Sequence, residues 1–274
     1  MTALENGRAN SGAAAALNVA IIQMNSQDDK QANIAAALDL SRDQAETIPG
    51  PITELLAQRA RRHGIYIHGG SIYETRPGDP GMYNTTLVID PTGEIIARYS
   101  KIHMYDVVLD GVATYQESAA VTPGTETAIT EIDGIPVGLT ICYDLRFPEL
   151  FRILALKGAQ AIVLPAAFTL MTGKDHWETL IRARAIENGL YMIAPAQWGT
   201  HPPGNWCYGR SMVVDPWGTV LTTAADGVGI AYATVDRSRI ATVRRQVPSL
   251  ANRRPEAYTW PEESQSLATG RLAF

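Results

Sequence analysis

The chain has 274 residues, 46% hydrophobic and 19% charged, with a net charge of −5. That composition suits a single α/β enzyme domain with a large buried core, and an acidic balance without a long basic run argues against nucleic acid as a partner. Two cysteines, Cys142 and Cys207, make no disulfide framework, no CxxC or His/Cys cluster suggests a metal, and no run approaches the ~20 apolar residues of a membrane span, so a cytoplasmic protein with no membrane partner is expected.

Residues 1–16 lack a basic start followed by a long apolar core, so they read as a loose tail before one domain over 17–274. LNVAIIQM (17–24) is the first strand and NIAAALDL (33–40) a short helix. An α/β alternation would then return to the sheet. Instead SRDQAETIPGP (41–51) leads straight into a second helix, ITELLAQRARRH (52–63). Strands follow at 65–74, 83–90, 94–101, 126–133 and 137–144, rich in Val, Ile, Thr and Tyr. Asp133-Gly134 between two of them signals a tight hairpin. IDPTGEII (89–96) and VDPWGTVL (214–221) are near copies, each strand, Asp-Pro-x-Gly turn, strand, which points to two matching sheets. Pro148 opens a helix running to about Lys157. After a strand at 161–168, Asp175 and Glu178 read as a capping box for a helix that buries Trp177, Leu180, Ile181 and Ala185 and stops at Gly189. The last strands are 190–197, 209–215, 220–224 and 230–236.

Cys142 ends the apolar run VGLTIC and is followed at once by Tyr143, Asp144 and Arg146, then by the helix that Pro148 opens. A free cysteine is usually inert packing. A strand-to-helix turn, however, can display a nucleophile beside backbone N–H groups able to hold an oxyanion. Such a thiol needs an activator. His103 and His176 stand in no context that points to Cys142 and read as surface or hydrogen-bonded residues. Lys101 ends a strand in ARYSKIHMYD, as an exposed strand-end lysine or as an activator.

RYSKIHMYD, YQESAAVTPG, GLTICYDLRFPELFR, HWETLIRARAIENGLYMIAPAQWG and YGRSMVVDPWGTV, in that order, resemble the nitrilase superfamily of carbon–nitrogen hydrolases, in the branch that includes ω-amidase and deaminated-glutathione amidase. The resemblance runs from about residue 17 to 260. It implies an α-β-β-α sandwich with two mixed sheets between helix layers, a homodimer or higher homo-oligomer, a small amide substrate, and neither cofactor nor metal. It implies Cys142 as nucleophile, Lys101 as its lysine and Glu117 as a second glutamate near that lysine. The Tyr143 N–H, with Lys101, would stabilise the oxyanion. Asp144 and Arg146 are expected to hold the turn by a salt bridge. Phe168, Trp177 and Trp198 are candidate pocket walls, each also readable as plain core. Cys207 is expected in a Pro/Gly-rich loop, HPPGNWCYG, and matches no motif.

The sequence departs from the family at one place. There a general-base glutamate follows a buried strand, in an apolar-apolar-Pro-Glu segment ahead of the helix that matches 52–63. This chain has no Pro-Glu and no strand pattern at 41–51. Judged against a βαβ unit of ~30 residues, about two dozen residues are absent. Glu46 matches a position downstream of the base and Glu54 a helix position, so the base is Glu46, Glu54, Glu117 or none. Two functions follow: an amidase working through a Cys142 thioester, with nitrile hydrolysis as a variant, or a family member without turnover that serves as a dimeric binding or scaffold protein. Cationic side chains near the mouth would favour amides that carry a carboxylate.

Overall fold

The structure, a computed structural model, describes residues 16–25, 45–109, 113–201 and 204–258. The expected helix at 33–40, and all but the last residue of the expected tail, lie outside the described residues. The first element is β1 (Ala16–Gln23). Next is α1 (Pro51–His63), which starts at a proline whose fixed φ suits a first helical turn and stops at Gly64 in the left-handed region.

β2 (Ile67–Thr75), β3 (Met82–Ile89) and β4 (Ile95–Ser100) form an antiparallel sheet. Successive side chains of a strand face opposite ways. Leu87 and Ile89 therefore pack against Ala57 and Ala60 of α1, while Val88 and Tyr99 face the main core. A small hairpin follows, β5 (Asp106–Leu109) with β6 (Ala113–Gln116).

β7 (Ala128–Ile132) and β8 (Ile135–Leu139) are joined by Asp133 and Gly134, both at positive φ, as the Asp-Gly signal requires. Then come α2 (Pro148–Leu156), β9 (Ala161–Val163), α3 (Leu170–Asn188) and β10 (Tyr191–Ala194). A second small hairpin, β11 (Trp198–His201) with β12 (Asn205–Tyr208), precedes β13 (Met212–Val214) and β14 (Val220–Thr223). The chain closes with β15 (Gly229–Asp236) and α4 (Arg237–Gln246).

Six strands form one mixed sheet in the order β14-β13-β10-β9-β8-β7. β8, β9 and β10 run parallel, and antiparallel hairpins finish both edges. α2 and α3 cover this sheet as α1 covers the other, giving an α-β-β-α sandwich. The second β layer is in two antiparallel pieces among the described residues: β2-β3-β4, and β1 paired with β15. Both Asp-Pro-x-Gly hairpins form, β3–β4 in one sheet and β13–β14 in the other. Asp90 Oδ1 accepts the Thr92 and Glu94 N–H groups, and Asp215 Oδ1 accepts those of Trp217 and Thr219.

Two expectations are corrected. α3 starts at Leu170, not at Asp175. Its early turns pack on β12, with Gly173 so close to Tyr208 that a Cβ would come within 2.4 Å of the tyrosine Cβ. Asp175 and Glu178 instead lie on the exposed side, paired with Lys174 and Arg182. The second correction concerns Cys207, which lies within β12 and bridges to Thr169, not in a loop. No helix among the described residues is long and apolar enough to cross a membrane.

Candidate active site

β8 delivers its chain to a sharp turn. The Thr140 N–H and Oγ1 both donate to the Val163 carbonyl, and the Cys142 N–H donates to the Pro165 carbonyl at 2.9 Å. Cys142 itself has φ 47°, a left-handed conformation costly for a side chain with a Cβ. A one-turn 3-10 helix, Cys142–Arg146, then leads into α2. Strain of this kind persists only where surrounding bonds enforce it. Asp144, fully buried, accepts the Ile141 N–H at 2.8 Å, the Tyr99 hydroxyl at 2.7 Å and the His103 N–H at 3.2 Å. Its Oδ1 also lies 2.7 Å from His103 Nδ1. Arg184 of α3, 5% exposed, donates twice to the Leu145 carbonyl.

The expected Asp144–Arg146 salt bridge is absent. Asp144 spends its acceptors on the turn, Tyr99 and His103. The Arg146 guanidinium lies over the rings of Tyr143 and Phe168, beside His176 Nδ1. Its partners are aromatic rings and an imidazole, with no carboxylate among the described residues.

Lys101 is 3% exposed and its ammonium bonds Glu117 Oε2. The same oxygen accepts the Tyr105 N–H at 2.7 Å, and Oε1 accepts Asn84 Nδ2 at 3.2 Å. Asn84 also ties down the Lys101 backbone, whose N–H donates to its carbonyl. This pair faces Cys142. Burial pushes the Cys142 thiol up, opposed by the nearby Lys101 ammonium and an N–H bond from Ala167, while Glu117 and Asp144 push it further up. Cys207 lies near enough to feel Cys142, although burial is what chiefly pushes its thiol up to about 12.

Lys101 and Glu117 thus lie near enough to Cys142 to act on its charge, and Tyr143 follows it in the turn. The Tyr143 ring packs edge-on to Tyr105 and Phe147. Phe168 lies buried beneath Arg146. Trp177 is fully buried with its indole N–H on the Arg210 carbonyl, which makes it core rather than a pocket wall. Trp198 packs against Trp206 in the β11–β12 hairpin. The other carboxylates considered for a base are engaged elsewhere. Glu46 Oε2 accepts the Ile52 N–H at the start of α1, and Glu54 pairs with Arg61 at the surface.

Sequence reasoning missed Asn84, Tyr105 and Arg184. Asn84 sits in a strand of alternating pattern and carried no mark of its own. Arg184 is a buried cation on the apolar side of α3, a combination that signals a specific partner.

The α-β-β-α sandwich is the fold of the nitrilase superfamily, hydrolases of carbon–nitrogen bonds. Residues 39–245 match the family described as "Carbon-nitrogen hydrolase", and the chain belongs to it. It is 41% identical over 217 residues to omega-amidase NIT2 of Mus musculus, covering 79% of this chain and 78% of that one. It is 42% identical over 214 residues to deaminated glutathione amidase of Synechocystis, covering 77% and 79%. The crystal structure of Saccharomyces cerevisiae Nit3, a member of branch 10 of the nitrilase superfamily, superposes with a TM-score of 0.74 at 27% identity, over 88% of this chain and 97% of that one.

Proposed function

We propose that the chain is an amidase that converts a small amide to a carboxylic acid and ammonia through a thioester on Cys142. The observation that carries the reading is the strained Cys142 turn facing the buried Lys101–Glu117 pair. In this reading the thiol passes its proton to a neighbouring carboxylate, which later gives it to the leaving nitrogen, and sulfur attacks the amide carbon. The oxyanion is held by Lys101 and by the Tyr143 N–H, the first donor after the nucleophile. The C–N bond breaks and ammonia departs with a proton. Water then adds to the thioester, losing its proton to a carboxylate, and the acid leaves with the thiol restored.

We assign that carboxylate to Glu117, which lies near enough to Cys142 to act on its charge, whereas Glu46 serves the first turn of α1 and Glu54 pairs with Arg61 on its surface. Arg146 supports an acidic substrate, since a guanidinium resting on aromatic rings, with no carboxylate partner among the described residues, can bind one. The names of the two amidase relatives fit that class. Exposed Ile153, Leu156 and Ile186 on α2 and α3 support a homodimer formed through the helices.

Ammonia release from a panel of carboxylate-bearing and neutral amides tests the proposal, with Cys142→Ala as control and intact mass spectrometry alongside. Turnover that Cys142→Ala abolishes supports the amidase. An acyl adduct on Cys142 without ammonia turnover would mean that no carboxylate serves as base. Neither adduct nor ammonia would favour the binding or scaffold reading, which the missing Pro-Glu segment motivates.

A further inference from the structure

The residues assigned so far come from β4, the turn after β6 and the turn after β8. The wall that β2 gives to the same centre has no assigned role. Tyr73 on β2 pairs directly with Asn84 on β3. Directly opposed residues of an antiparallel pair lie on one face, so Tyr73 points to the side from which Asn84 holds Glu117. Its neighbours alternate away: Glu74, on the other face, accepts from Thr85 and Arg76. Tyr73 is half-buried, and its hydroxyl takes no hydrogen-bond partner among the described residues. Burial first, then the charges of Glu117 and Cys142, push its ionisation above the usual tyrosine range. The phenol therefore keeps its proton through the ordinary pH range and can donate toward a neighbouring anion.

Resting on the reading of Cys142 as nucleophile, we propose that Tyr73 is a further active-site residue, its phenol donating a hydrogen bond into the space between Cys142 and the Lys101–Glu117 pair. Negative charge stands there twice, on the thiolate and then on the oxyanion. A neutral donor fixed on a strand stabilises both without adding a charge to a buried site. The other titratable groups facing Cys142 are Lys101 from the end of β4, Glu117 from the turn after β6, Tyr105 ahead of β5, Asp144 from its own turn and Cys207 from β12. Tyr73→Phe leaves all of them in place.

The test is the rate of Cys142 alkylation by iodoacetamide in the full chain, from about pH 6 to about pH 10, read by intact mass. Cys142→Ala supplies the background from Cys207. In Tyr73→Phe, loss of one hydrogen bond to the anion should displace the curve to higher pH and slow alkylation about 3–10-fold at pH 7. Ammonia release should lose about 10-fold in kcat with KM within about twofold. Tyr73→Gln, which restores a donor, should recover part of the alkylation rate, and it carries the comparison if the phenylalanine variant does not fold. Curves that superimpose on the parent in a folded variant overturn the proposal. A parent that alkylates at Cys142 but releases no ammonia from any amide would overturn the amidase reading, and the alkylation comparison would still decide the role of Tyr73.

Discussion

The two β layers of this molecule are built to different standards. The six-stranded sheet is covered by helices and dry, with Ile162, Val213 and Met192 fully or almost fully buried. Its turn at Cys142 is held by Asp144 from within and Arg184 from α3. In the other layer β1 and β15 pair only with each other among the described residues, and the cross-strand partners Ile22 and Ile230 are each 55% exposed. The nucleophile candidate thus sits on the rigid layer, while its partners come from elsewhere, Lys101 from the end of β4 and Glu117 from the turn after β6. The thin part of the described fold is this β1–β15 pair. A site needs fixed geometry more than a uniformly packed frame, and here it draws on the better-packed part.

The largest expected effects test the rigid side. Cys142→Ala should reduce ammonia release to background while leaving the melting temperature within a few degrees, since it removes one sulfur and no anchor of the turn. Glu117→Gln should lose about 10²–10⁴ in turnover if this carboxylate serves as the base. Activity retained within a few-fold would move that role elsewhere. Arg184→Met should destabilise the fold by about 1–3 kcal/mol in denaturant unfolding, because the buried Leu145 carbonyl loses both donors. It should also lower turnover through the turn at Cys142. An unchanged midpoint would show that α3 does not hold that turn.

A pH-dependent prediction concerns the β2-β3-β4 sheet. His68 is kept neutral, its pKa lowered to about 4 by burial, with Nε2 against the Thr86 hydroxyl and Nδ1 accepting the Gly70 N–H. The unfolded chain takes up that proton near ~6.5, so between the two values it binds more protons than the folded chain. Stability should therefore fall as pH drops from ~6.5 to ~4, by up to about 3 kcal/mol, and this contribution should level off below. His68→Gln should flatten the acid limb of a melting curve measured against pH. An equally steep limb in that variant would exclude His68 as its cause.

Much of this was legible in the sequence because local chemistry and tertiary role agreed. Asp133-Gly134 and the two Asp-Pro-x-Gly turns formed as their residue types demand. The ICYDLRF segment marked the candidate site because a strand-to-helix turn displaying a cysteine leaves a mark within ten residues. What was not legible depended on distance. The start of α3 moved to Leu170 because Gly173 meets Tyr208, a contact 35 residues away that outweighs the local capping signal. The β5–β6 hairpin flanks an Asp-Gly of its own, Asp110-Gly111, so that pattern was present and passed over. Asn84 and Tyr73 belong to the site only through strand register, which a single strand does not reveal.

The smallest expected effect probes the thin side. Ile230 pairs with Ile22 across β1 and β15, and both stand largely in the open. For an exposed pair of this kind Ile230→Thr should cost about 0.2–1 kcal/mol, since threonine keeps the branched shape that suits a strand and little buried area is lost. The denaturation midpoint should barely move, and amidase turnover should not change, because neither residue touches the Cys142 turn. A cost above about 2 kcal/mol would carry a different meaning. Losses of that size come from buried apolar contacts, so this face would then have to be covered in solution, by a segment of the chain outside the described residues or by a second copy. Repeating the midpoint across protein concentration separates those two, because only a second copy makes stability rise with concentration.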